Sequence, residues 1–198
     1  MNTVMSKLAP KATGMIRMDH THVMATFHQY HADTRPATKQ ALVNTICLAL
    51  EIHAQLEEEI FYPAMREVAE SDSAAVDKSL PEHAEMKRLI GLLRGMDPSD
   101  AAYDGTVQEL MRGVMHHVAD EETTLLPDAE RLLSAERLGE LGARMTRRRI
   151  ELSAPHSAEM AANMARAMPA SKMLAVTGAV LAGTFIAKRA FGSRTHHH

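Results

Sequence analysis

The stretch Glu51–Met65, "EIHAQLEEEIFYPAM", decides how the rest of the chain is read. Its apolar stripe continues Leu42, Ile46 and Leu50 through Ile60 and Ala64, a helical repeat of three and four residues. On that inward stripe stand His53 and, four residues later, Glu57. Four residues turn an α-helix by about 400°, so the imidazole and the carboxylate point to one spot from adjacent turns. The segment Met115–Pro127, "MHHVADEETTLLP", repeats the arrangement with His117 and Glu121, aligned with Leu110, Val114 and Leu125.

Working outward, two further apolar stripes each carry one histidine. His20 lies with Ile16, Val23, Met24 and Phe27 in a helix expected over residues 13–32. His83 lies with Met86, Ile90 and Leu93 in a helix expected from Pro81 to Gly95. Pro36 suits the first turn of the second helix, Pro63 is expected to kink its end, and Pro127 to interrupt the fourth. The stretch from Glu70 to His83 reads as a loop with capping residues and room for a helical turn of its own, and "GMDPSDAAYDG" as a turn. No convincing strand alternation occurs. The fold class is therefore all-α, an up-down-up-down four-helix bundle with a C-terminal helical extension.

Composition narrows the function. Apolar residues at 45% can build a packed core, and a net charge of −3 provides no basic field, so nucleic acid is not an expected partner. The single cysteine, Cys47, excludes an internal disulfide and fits a reducing compartment, where it reads as a small buried hydrophobe. The first twenty residues lack a basic segment followed by an apolar run, so no secretory signal is expected and the localisation reads as cytoplasmic.

The inward polar set is His20, His53, Glu57, His83, His117 and Glu121. Taken singly, each histidine reads as an ordinary hydrogen-bonded core residue. Taken together, one from each of four helices with two carboxylates, they read as metal ligands. Imidazole suits first-row transition metals, and a carboxylate can bridge two ions. Six donors exceed the needs of one tetrahedral zinc but suit two iron ions bridged by Glu57 and Glu121 and by an oxide or hydroxide. Manganese or zinc would also be accepted by such donors. His116, paired with Asp120, is the rival to His117, but it aligns with Arg112 and Gly113. Glu58, Glu59 and Glu122 are expected behind the donors or facing solvent; His22, His28, His31 and His156 are expected at the surface.

In this order, "DHTHVMATF", "HAQLEEEIFYP", "EHAEMKRLI" and "HHVADEETTLLP" resemble the hemerythrin-like HHE cation-binding domain family over roughly residues 13–128. The resemblance implies a four-helix diiron site built from the same six residues. The oxygen-carrying members have a second histidine four residues from the third-helix one, where this chain has Ser79 and Lys87, and an aspartate set further along in place of Glu121. The four-His, two-Glu set is closer to bacterial hemerythrin-like proteins implicated in iron–sulfur repair and in responses to nitric oxide or peroxide. The implied function is binding or turnover of dioxygen, peroxide or nitric oxide, as a diiron oxidoreductase, with a non-enzymatic sensor or iron-handling module as the alternative. Ferritin-like bundles use Glu-x-x-His, and no histidine here has a glutamate three positions before it.

Residues 1–152 read as the metal-binding domain, 153–195 as a helical tail, and 196–198 as the remnant of a purification tag. Within the tail, residues 173–187 carry no charge and lie between Lys172 and the pair Lys188 and Arg189. As a helix they would span about 22 Å, short of the ~30 Å hydrocarbon core. Both membrane association, which would make the protein peripheral to the inner membrane, and self-association through Gly178, Ala179, Ala182 and Gly183 stay open. The run Arg147–Arg149 reads as a solvated face.

Overall fold

The apolar stripes found in the sequence face one another across an all-helical bundle. The computed structural model describes residues 10–68 and 74–167, and no strand occurs among them. The helices are α1 (Ala12–Phe27), α2 (Pro36–Leu56), α3 (Tyr62–Val68), α4 (Ala74–Gly95), α5 (Tyr103–Asp120), α6 (Leu126–Leu132), α7 (Ala135–Ser153) and α8 (Ser157–Ala167). A π segment, Glu57–Phe61, joins α2 to α3, and a second, Glu121–Leu125, joins α5 to α6. The four rods of the bundle are thus α1, α2–α3, α4 and α5–α6, with α7 packed against α1 and α2 and α8 against α2.

The two prolines neither end nor break their rods, contrary to the expectation. Inside an α-helix, Pro63 and Pro127 would collide with the carbonyls of Glu59 and Thr123, four residues back. The chain opens a wider turn there instead: the Tyr62 N–H donates to the Glu57 carbonyl and the Leu126 N–H to the Glu121 carbonyl, each five residues back. Both π segments begin at the carboxylate of a His-x-x-x-Glu pair.

Other boundaries also moved. The first helix stops at Phe27, five residues before the expected end. The third bundle helix begins at Ala74, so much of the expected 70–83 loop is helical and Pro81 lies inside it. Tertiary burial overrides proline's propensity there: Val76 and Ser79 are buried, and the Ser79 hydroxyl donates to the Ala75 carbonyl at 3.0 Å. Ser134 ends the run after α6 by capping α7, its hydroxyl accepting from the Arg137 N–H at 3.2 Å.

The core has two apolar clusters. One joins Val23, Phe27, Ile46, Leu50, Met86 and Val114; the other joins Ile16, Leu56, Phe61, Val76, Leu125 and Leu141 of α7. Between them runs a polar layer, because each rod places its histidine between a member of one cluster and a member of the other. Leu50 and Leu56 flank His53, for example, as Ile16 and Val23 flank His20. Among the described residues no helix is long and apolar enough to cross a membrane. The apolar segment 173–187 and the histidines 196–198 lie outside the described residues. Near the expected boundary at Leu152 the chain passes through a 3-10 turn, Ala154–His156, into α8.

Candidate metal centre

All six inward residues converge in that polar layer, none more than 5% exposed, with Glu57 and His83 fully buried. The His20 and His53 rings lie 5.1 Å apart and those of His83 and His117 4.7 Å apart. Each carboxylate lies between two imidazoles. Glu57 Oε2 is 3.2 Å from His53 Nε2 and 3.4 Å from His83 Nε2. Glu121 Oε2 is 3.2 Å from His20 Nε2 and 3.6 Å from His117 Nε2. His116, the rival, is exposed, as are His22, His28 and His31; His156 is partly so.

Every histidine turns its Nε2 inward because a carboxylate holds its Nδ1. Glu122 faces His20 Nδ1, Glu58 faces His83 Nδ1 and Glu82 faces His117 Nδ1, each at 2.9 Å, while Asp19 stands 3.5 Å from His53 Nδ1. Such outer carboxylates fix the tautomer with Nδ1 protonated and Nε2 free to bind a cation. They are balanced in turn: Glu122 by Arg17 at 3.0 Å, Glu58 by Lys87 at 2.7 Å, and Asp19 by Arg149 at 2.5 Å. Arg148 pairs with Glu59 at 2.8 Å. Of the basic run, Arg147 is exposed and Arg148 pairs at the surface, but Arg149 leaves the expected solvated face and holds α7 to the site's outer layer.

Sequence reading placed Glu58 and Glu122 behind the donors but missed Asp19 and Glu82, because neither carries a periodic signal of its own. It also missed Tyr62, whose hydroxyl reaches Glu121 Oε1 at 2.9 Å, Glu57 Oε2 at 3.2 Å and His83 Nε2 at 3.3 Å. Tyr62 comes inward just past the first π segment, a displacement that an ideal helical wheel does not show.

The arrangement is electrostatically incomplete without a cation. His20 Nε2, His53 Nε2, Glu57 Oε1 and Glu121 Oε2 are buried and have no hydrogen-bond partner; the nitrogen–oxygen approaches near 3.2 Å lack hydrogen-bond alignment. Burial, then the charge of Glu121, pushes the Glu57 carboxyl up to about 8. Burial also acts to raise Glu121, but the His20 imidazole beside it and the other histidines around it outweigh this and hold it low. One proton therefore stays on the carboxylate pair. Burial lowers His83 and His117, keeping both imidazoles neutral and able to donate a lone pair. Burial and the two carboxylates push the Tyr62 phenol far up, so it remains a proton donor.

Two donor groups suit a cation in spacing: His20, His53, Glu57 and Glu121, and Glu57, His83 and His117, with the donor atoms of each within 4.8 Å of one another. Glu57 belongs to both. The orphaned atoms, neutral imidazoles and shared carboxylate fit a pair of cations, which would replace the retained proton.

Comparison with known proteins agrees with this chemistry. The family model described as "Hemerythrin HHE cation binding domain" matches residues 11–129. A protein of Nostoc sp. named "DNA nickase" is 34% identical over 123 residues, 62% of this chain. The match spans about a third of that relative's length. Among solved structures, a hemerythrin HHE cation-binding-domain-containing protein from Mycobacterium kansasii superposes with a TM-score of 0.64. It is 17% identical, with 80% of this chain and 99% of that one covered, a likeness of fold alone.

Proposed function

Because the chain belongs to the hemerythrin HHE cation-binding family, we propose that its polar layer holds two iron ions and binds or turns over dioxygen, peroxide or nitric oxide. The observation that carries this reading is the set of four buried donor atoms left without hydrogen-bond partners. Leaving buried charge uncompensated is costly, and cations at those atoms would remove the cost. His20, His53, Glu57 and Glu121 would hold one ion, and His83, His117 and Glu57 the other, with Glu121 leaning toward the second through its approach to His117.

Bound iron would supply redox electrons and a coordination position for the small oxidant. The protein's own groups do the rest. The Tyr62 hydroxyl holds a proton between Glu121 Oε1 and His83 Nε2, where a developing negative charge could accept it. The outer carboxylates keep the four imidazoles in register, and the two apolar clusters exclude water from both sides. Reconstitution under low oxygen, followed by metal analysis and a near-ultraviolet and visible spectrum, tests the proposal. Two iron atoms per chain with an oxo-bridge band support it; manganese or zinc as the native metal, or folded colourless protein with fewer than two metal atoms, overturns it.

A second reading, a sensor or iron-handling module, is favoured by the link from α7 to His53 through Arg149 and Asp19. α7 lies beyond the family match, so a change at the centre could be passed outward. Catalytic consumption of peroxide or nitric oxide favours the first reading; stoichiometric binding with altered self-association favours the second. For residues 173–187 the proposal remains membrane association or self-association, separated by vesicle co-sedimentation. The nickase name belongs to the Nostoc relative, of which the match spans about a third, and a net charge of −3 offers no overall basic field toward DNA.

A further inference from the structure

A cavity of about 230 Å³ opens between the start of α4 and the second π segment. Lys78 and Ser79 line one side, Asp120 and Thr124 the other, and it reaches Glu121. We propose that this cavity is the port by which an uncharged oxidant of a few atoms reaches the metal centre. The inference rests on the functional reading above and adds the route.

Three observations point the same way. Glu121 is only 1% exposed and its Oε2 has no hydrogen-bond partner, yet this residue is part of the cavity wall. The outer walls include exposed Lys78 and Thr124, so the space runs from solvent to a member of the cluster. Its size admits several water-sized molecules at ~30 Å³ each but falls below the ~300 Å³ at which pockets for organic ligands begin.

The charged groups at the mouth are paired. Lys78 is ion-paired with Asp120, and the exposed His116 lies 3.6 Å from the same carboxylate. The Lys78–Asp120 pair itself draws in neither an anion nor a cation. Exposed pairs of this kind are weak, so it can part to admit a molecule and close again. A neutral solute such as hydrogen peroxide, dioxygen or nitric oxide crosses such a mouth without losing charge solvation.

The test uses the iron-loaded full chain mixed with hydrogen peroxide, with dioxygen and nitric oxide in parallel, followed through the visible band of the centre by stopped flow. Thr124→Trp puts bulk on the cavity wall from an exposed position; Thr123→Trp, exposed but not lining the cavity, is the control. Slowing by about tenfold or more in Thr124→Trp, with iron content intact and the control near wild type, is expected. Should Thr124→Trp fail to load iron, Lys78→Trp on the opposite wall is read in the same way. Fully loaded blocked variants that react at the wild-type rate overturn the port while leaving the functional reading in place. A wild-type centre inert to all three probes removes that reading and the port with it.

Discussion

Arg149 grips Asp19 through two hydrogen bonds, at 2.6 and 2.5 Å, and Asp19 in turn stands 3.5 Å from His53 Nδ1. A helix outside the four rods thereby sets the orientation of an imidazole inside them. Removing this support, by Arg149→Leu or Asp19→Asn, is expected to weaken metal binding by about 10–100-fold while the helical circular dichroism stays unchanged. Competition against a chelator of known affinity measures it. Arg148→Ala, which loses the surface pairs with Glu59 and Glu151, is expected to leave the affinity near wild type.

Glu57 is the carboxylate common to both donor groups, whereas His117 belongs to one. Glu57→Ala should therefore empty both positions, and His117→Ala should leave about one metal atom per chain. Metal analysis of the purified variants distinguishes the two, and equal loss in both would contradict the shared role of Glu57.

The retained proton makes a pH prediction with a defined sign. The folded-state value of Glu57, near 8, lies above its ordinary 4.5. Its contribution to the stability of the metal-free fold is thus fully present below pH 4.5 and is lost as pH rises through about 8. Metal-free protein is expected to melt at a lower temperature at pH 9 than at pH 6, and metal-loaded protein to lose much less over that interval. Metal uptake at pH 7 should release a proton, seen as a buffer-dependent enthalpy in titration calorimetry.

Gly142 in α7 touches the chain just before α1 so closely that a Cβ there would overlap the Pro10 carbonyl oxygen and come within 3.0 Å of the Ala12 nitrogen. Backbone atoms cannot step aside as a flexible side chain can. Gly142→Ala should destabilise the fold by about 1–3 kcal/mol, read from urea denaturation. It should also weaken metal binding, because displaced α7 carries Arg149 with it.

The bundle and its six inward polar residues were legible because both depend on periodicity, which the stripes through His20, His53, His83 and His117 state residue by residue. The choice of His117 over His116 followed from the same arithmetic, and the first is buried while the second is exposed. What periodicity does not encode is contact between elements. Asp19 and Glu82 look like ordinary polar positions until the helix carrying their histidine is laid beside them. The packing of α7 was hidden for a related reason: its strongly charged sequence conceals a narrow apolar edge, Leu138, Leu141 and Met145. The π segments could be reached only by reading the two prolines as sites of accommodation.

Those widened turns have a consequence for the numbering of the rods themselves. Each stores roughly one residue of surplus winding, equivalent to about 100° of rotation about the helix axis. Forcing Glu57–Phe61 into ordinary pitch with every residue kept would leave His53 and Glu57 undisturbed, yet swing Tyr62 and the Phe61 ring out of phase with the interior. The upstream half of each rod is thus phased to its donors and the downstream half to its own packing, and the surplus residue is the clutch between the two.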